Sequence, residues 1–211
     1  CNFKWNCKKC DKKLCLRIAA IADFPTKHGH FEIIAFTNNK DKKDHLMVVK
    51  GGVVHGENIL TRLHSSCVTG DVLGSLRCDC GPQLSKSLQM IEKEGIGILL
   101  YMQQEGRGIG LTNKIRAYML QDAGDDTYEA NIDLGFKPDE RQYELAAAML
   151  SKLDVKSIRL LTNNPEKIKQ LKSYGVIIKQ RIPLETHPNK YNRNYLRTKK
   201  ERFGHLLTLN P

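Results

Sequence analysis

Cys67, Cys78 and Cys80 fall within the stretch Arg62-Leu-His-Ser-Ser-Cys67-Val-Thr-Gly-Asp-Val-Leu-Gly-Ser-Leu-Arg77-Cys78-Asp79-Cys80-Gly81. Thiolates at i and i+2 on a turn can face one ion, and a third thiolate from a nearby loop completes three corners of a tetrahedron. Three protein ligands leave the fourth position open to water, the pattern of catalytic rather than structural zinc. Reduced cysteines can also be buried simply as small apolar residues. The polar neighbours Asp71, Arg77 and Asp79 speak against that alternative. His64, close to Cys67, offers a possible fourth ligand, which would close the site and make it structural.

A second chemical signal is the loop Gln103-Gln104-Glu105-Gly106-Arg107-Gly108-Ile109-Gly110. Its glycines let backbone amides approach an anion, a helix N-terminus follows, and Arg107 adds a bidentate phosphate donor. The spacing matches neither the dinucleotide fingerprint nor a P-loop. Glu105 could accept both N–H donors on the Watson–Crick edge of guanine, or it could pair with Arg107 or Arg116. Asp139, after Pro138, reads as the N-cap of a helix with Gln142 three residues on. It could instead serve as a general base, with Arg141 on phosphate. Thr162-Asn-Asn-Pro-Glu-Lys167 reads either as plain capping or as a hydroxyl-plus-ammonium phosphate site.

The elements that must position these residues follow from hydrophobic patterning. Phe31–Phe36 and His45–Val49 read as short strands bracketed by turn-rich segments. From residue 81 the pattern alternates between helix and strand. A helix opens at Gly81-Pro82, carries Leu84, Leu88 and Ile91 on one face and stops at Gly95. A buried strand spans 96–102, a helix runs through Ile115 and Tyr118 to Gly124, and another covers about 140–152. The strand 158–161, a helix from Asn164-Pro165 to about Tyr174 and a strand at 176–178 complete the pattern. The expected fold is mixed α/β: a partly parallel sheet with flanking helices, short N-terminal strands and a catalytic zinc site on a loop. Sites in such folds lie in strand-to-helix loops.

A chain of 211 residues with 40% hydrophobic content can bury a substantial core. It has no membrane-span-length apolar run and no signal-peptide pattern, so neither a membrane nor secretion is expected. It begins at Cys1 rather than Met, which suggests a fragment or processed product. Seven cysteines in such a chain point to a reducing compartment and to metal binding before disulfides. Residues 1–20, with Cys1, Cys7, Cys10 and Cys15 among lysines, read as a linker or the remnant of an upstream domain, and residues 21–211 as the main domain. The formal charge of +11 fits a polyanionic partner, although pairs such as Lys199-Lys200 read as solvated surface.

Taken together, the chain resembles GTP cyclohydrolase II. The matching words are Arg62-Leu-His-Ser-Ser-Cys67-Val-Thr-Gly-Asp, Leu76-Arg-Cys-Asp-Cys-Gly81, Gln104-Glu-Gly-Arg-Gly-Ile-Gly-Leu111, Asn113-Lys-Ile-Arg-Ala-Tyr118 and Thr162-Asn-Asn-Pro165. The resemblance implies zinc on Cys67, Cys78 and Cys80, with magnesium accompanying the triphosphate. It implies ring opening of GTP with release of formate and pyrophosphate, giving the diaminopyrimidine that begins riboflavin biosynthesis. Asp139 would be the proton acceptor. Arg141 occupies the place of a nucleophile toward phosphorus, but a guanidinium is better suited to clamping phosphate. Tyr118 would orient water or the ring. GTP contacts would come from Arg62, His64, Ser65, Gln83, Glu105, Gly106, Arg107, Thr127, Thr162 and Lys167. A cytoplasmic homodimer that binds no nucleic acid is also implied.

Ser66 stands where the family usually has Glu, and Gln103 where an Arg often stands, so affinity for GTP is expected to differ. An upstream dihydroxybutanone-phosphate synthase domain, as in bifunctional relatives, is left open. Two other readings compete. A zinc-stabilised nucleic-acid module would bind with steep salt dependence and no turnover, but only 7% of residues are aromatic. A zinc nucleobase deaminase would need His-x-Glu and Pro-Cys-x-x-Cys words, which are absent.

Overall fold

The computed structural model describes residues 14–208. In chain order the strands and helices are β1 (Leu16–Thr26), β2 (Gly29–Asn38), β3 (His45–Lys50), β4 (Ile59–Ser65), α1 (Val68–Asp71), α2 (Cys80–Glu94), β5 (Gly97–Met102), α3 (Leu111–Asp122), α4 (Glu129–Asp133), α5 (Glu144–Lys152), β6 (Ile158–Leu161), α6 (Pro165–Ser173), β7 (Ile178–Ile182) and α7 (Arg193–Glu201). The strands form one seven-stranded sheet in the order β1-β2-β3-β5-β4-β6-β7. β1, β2, β3 and β5 pair antiparallel, the first three joined by short connections and β5 reaching β3 after β4 and α2. β5, β4, β6 and β7 pair parallel, their crossovers supplied by helices. The expected mixed α/β architecture is therefore the observed one.

Period-two alternation assigns the two faces of the sheet. Ile98, Leu100 and Met102 of β5 join Leu63, Met149, Leu150 and Leu171 in the larger core, under α5 and α6. Leu99 joins Leu60 and Ile91 in the smaller core, under α2. Arg62, which lies between Thr61 and Leu63 on β4, points to the α2 side and bonds Gln83 of that helix. Arg62 thus ties the strand that leads into Cys67 to the helix that begins at Cys80.

Several sequence expectations held because local chemistry decided them. Gly95 ends α2 in the left-handed region at φ 76°, and its N–H bonds the Ile91 and Glu92 carbonyls. Asn164 caps α6 through the Glu166 N–H at 2.9 Å, with Pro165 in the first turn. Other expectations shift. The helix placed at 140–152 begins only at Glu144, and Asp139 does not cap it, because its carboxylate is turned onto Arg141. The last strand lies at Ile178–Ile182, not 176–178. β4 and α7 were not anticipated. β1 begins at Leu16, inside the segment read as a linker, and Cys15 is tied to the end of β2 through Asn39. Cys1, Cys7 and Cys10 lie outside the described residues. Cys15 is disulfide-bonded, so it is not a thiolate ligand, and the reading of all seven cysteines as metal-directed thiols fails there.

Candidate functional site

Residues from three parallel strands meet at one end of the sheet. β4 runs into Ser65–Cys67, β5 into the glycine loop and β6 into Thr162–Asn164, the carboxyl-end placement expected of open α/β sheets. One cleft is lined by Arg62, His64, Ser65, Cys67, Cys78, Cys80, Gln83, Glu105, Gly106, Arg107, Tyr118, Thr127, Arg141, Thr162 and Lys167. Every residue expected from sequence as a metal ligand, a catalytic group or a GTP contact is there except Asp139.

The Cys67, Cys78 and Cys80 sulfurs all lie within 4.8 Å of one another. Cys67 precedes α1, Cys78 lies in the turn before α2, and Cys80 is the first residue of α2. Two glycines allow this convergence. A Cβ on Gly70 would lie 2.7 Å from the Cys78 sulfur and 3.2 Å from that of Cys67, and one on Gly81 would lie 2.2 Å from the Gly70 carbonyl. The donor set of three converging thiols suits a thiophilic, tetrahedral cation such as zinc. The thiols share protons unequally. Hydrogen bonds from Cys78 and Cys80, joined by Lys114, hold Cys67 well below the usual thiol range. The bond to Cys67 pushes Cys78 up to about 11, and the same sharing raises Cys80. Lys114 Nζ lies 3.0 Å from the Cys67 sulfur.

His64 is not part of the thiol cluster. Its Nε2 lies 2.9 Å from Asp71, and its ring stacks on Tyr101 at 5.5 Å. Asp71 also accepts from the Tyr101 hydroxyl and from the Cys67 N–H. The notion of His64 as a fourth ligand therefore gives way to an acceptor carboxylate that orients the ring. Burial lowers the pKa of His64, an effect that its bond to Asp71 only partly offsets.

The glycine loop turns through left-handed backbone at Gly106 (φ 61°) and Arg107 (φ 58°). An arginine in that region carries strain that its contacts must hold. Its guanidinium bonds the Thr127 carbonyl and hydroxyl at 3.1 and 3.0 Å and lies over the Phe203 ring at 4.2 Å. Glu105 is fully engaged: it accepts from the Val68 N–H at 2.6 Å, the Gly106 N–H at 2.9 Å and Lys114 at 2.8 Å. Its pairing with Arg107 or Arg116, weighed from sequence, is not what the structure shows. Tyr118 donates to or accepts from Thr69 at 3.2 Å, and the Arg77 guanidinium lies over its ring.

The opposite wall is cationic. Arg62, 5% exposed, donates to the Leu161 carbonyl and to Gln83, and burial brings its pKa down to about 10. Lys167, also 5% exposed, donates to the Leu63 carbonyl at 2.7 Å, and burial with Arg62 and Arg141 pushes it far below its ordinary value. Arg141 grips Asp139. Burial opposes ionisation of Asp139, but Arg141 prevails and holds it below the usual carboxylate range. Burial and four neighbouring cations drive His205 down to about 2. Like charges held together in a cleft favour an anionic ligand.

Sequence reasoning missed residues that the topology alone brings in. α7 delivers Lys199, which salt-bridges the buried Asp79 at 2.5 Å, and Asp79 in turn accepts from Gln83. Nothing in the local pattern separates Lys199 from solvated Lys200. Lys114 was legible in principle, since it stands one helical turn before Tyr118. Among the described residues, buried Arg62 Nε, His64 Nδ1 and Ser66 Oγ have no partner, as groups awaiting a polar ligand do. Ser66 lines the cleft and Gln103 does not.

Comparisons with known proteins agree with this geometry. Residues 17–183 match the family model "GTP cyclohydrolase II". The chain is 54% identical over 188 residues to the riboflavin biosynthesis protein RibBA of Phocaeicola vulgatus, covering 89% of this chain and 46% of that one. It is 50% identical over 190 residues to RibBA of Chlorobium phaeovibrioides (90% and 46%) and 53% identical over 185 residues to RibBA of Bacillus mycoides (88% and 47%). The chain thus spans about half the length of these curated relatives.

Proposed function

The chain belongs to the GTP cyclohydrolase II family, and from that premise we propose that it opens the imidazole ring of GTP, releasing formate and pyrophosphate. The observation that carries this reading is the junction of a three-thiol cluster and a buried cationic wall in one cleft. Cys67, Cys78 and Cys80 would hold a zinc. The chemistry such an ion supplies is Lewis acidity, which renders water nucleophilic near neutral pH.

The chain's own residues account for the rest. Arg62, Arg107, Arg141 and Lys167 present fixed positive charge to the triphosphate, which magnesium would accompany. Arg141 acts as a clamp, since a permanently charged guanidinium is a poor nucleophile. Asp139, drawn below the usual carboxylate range by Arg141, is a weak base while so paired; as proton acceptor it would act when phosphate takes over that guanidinium. Glu105 is the candidate guanine acceptor, and it must exchange internal partners to reach the base. Tyr118 places a hydroxyl within the cleft near the cysteines, held by Thr69. His64, Ser65, Gln83, Gly106, Thr127 and Thr162 complete the polar lining.

A cytoplasmic homodimer is part of the same proposal. Exposed Val72, Leu73, Leu76 and Met119 provide apolar area for a second copy to cover. Among the described residues no helix is long and apolar enough to cross a membrane. Incubation of zinc-loaded protein with GTP and magnesium, assaying formate and pyrophosphate together, tests the reaction. Both products are expected. Neither product from folded, zinc-replete protein would overturn the reading and favour a nucleic-acid module, and ammonia in place of formate would indicate a deaminase.

A further inference from the structure

Lys114 lies outside the residues that the family resemblance assigns, yet its ammonium touches both halves of the site. Nζ is 3.0 Å from the Cys67 sulfur and 2.8 Å from Glu105 Oε1. The side chain is 12% exposed and that of Glu105 13%, so the contact is shielded from competing water. The other oxygen of Glu105 accepts from the Val68 N–H, next to Cys67. Gly106 lies so close that a Cβ there would sit 3.0 Å from that of Lys114. Lys114 is therefore aimed at one sulfur by Glu105, which the Val68 N–H holds in turn.

We infer that Lys114 is a positioning residue that tunes the metal through Cys67, donating a charge-assisted hydrogen bond to that thiolate. Three thiolates around a divalent cation carry one net negative charge, which weakens the cation as a Lewis acid. A fixed ammonium on one sulfur cancels that charge and withdraws electron density from the sulfur, as outer partners of metal ligands do. Glu105 orients the ammonium, so the loop expected to read the base also sets the aim of the donor. The inference rests on the three cysteines holding a metal.

The test uses cobalt(II) alone as a probe in place of zinc, with Lys114→Met and Lys114→Arg beside the unsubstituted protein. Loss of the donor makes Cys67 more electron-rich. The sulfur-to-cobalt charge-transfer band should then move to lower energy in Lys114→Met, and zinc affinity in chelator competition should tighten by roughly 10-fold, since the sulfur donates more strongly and no ammonium repels the cation. Lys114→Arg should restore much of both. An unshifted band with unchanged affinity in folded Lys114→Met would overturn the inference, because a merely structural lysine would not tune the sulfur. If Lys114→Met does not fold, Lys114→Gln takes its place, keeping an N–H for Glu105 without the charge, and the same readouts decide. Failure of the unsubstituted protein to bind any metal would instead sink the metal reading itself.

Discussion

Ser66 is 4% exposed and lines the cleft, and its hydroxyl has no partner among the described residues. A longer acceptor at this position would reach further into the cleft than the serine does. Ser66→Glu should therefore lower KM for GTP by about threefold to tenfold, the value of one hydrogen bond, whereas Gln103→Arg should leave it unchanged, as steady-state kinetics would show. At this scale the cysteines, the glycine loop and Lys167 were legible because their chemistry is declared by residue type and spacing. Asp71 was not. It collects donors from His64, Tyr101 and the Cys67 N–H, and two of these come from strands whose pairing no local pattern reveals.

Among the elements, α1 and α2 succeed only because Gly70 and Gly81 let their starts touch. Gly70→Ala places a methyl 2.7 Å from the Cys78 sulfur, so zinc stoichiometry measured after dialysis should fall from one toward none. Gly52→Ala, with open space around its Cβ, should leave it intact. β3 gives a pH prediction. His45 is fully buried, its Nδ1 accepts the Gln103 N–H at 3.1 Å, and its Nε2 lies 3.1 Å from Asp41. Burial lowers its pKa despite Asp41. With the folded value below the unfolded one, near 6.5, the contribution of His45 to stability is complete above that value and is lost as pH falls through the folded pKa. Urea midpoints should fall between about pH 7 and pH 5, and His45→Gln should flatten that dependence. Helix ends were readable where Gly95 and Asn164 dictated them. β4 was not, because buried Arg62 and His64 break the apolar signature of a central strand.

Across the whole molecule, the C-terminal helix closes what the N-terminal half begins. Lys199 of α7 pairs with Asp79 between two of the cysteines, and Asp79, Gln83 and Arg62 continue that network to β6. Removing one partner of a buried ion pair strands the other. Lys199→Met should therefore cost about 3 kcal/mol in denaturant unfolding and loosen the metal site, whereas Lys200→Met should do neither. No reading of the basic C-terminus could separate these two lysines, since their difference is made by a contact 120 residues away in the chain. The central claim is that the three-thiol cluster is where the guanine ring opens. Formate release from GTP by folded Cys78→Ser, compared with the unsubstituted protein under equal zinc and magnesium, tests it most directly. The account predicts formate release from the unsubstituted protein and none above background from the variant. Undiminished formate release from the variant would contradict it.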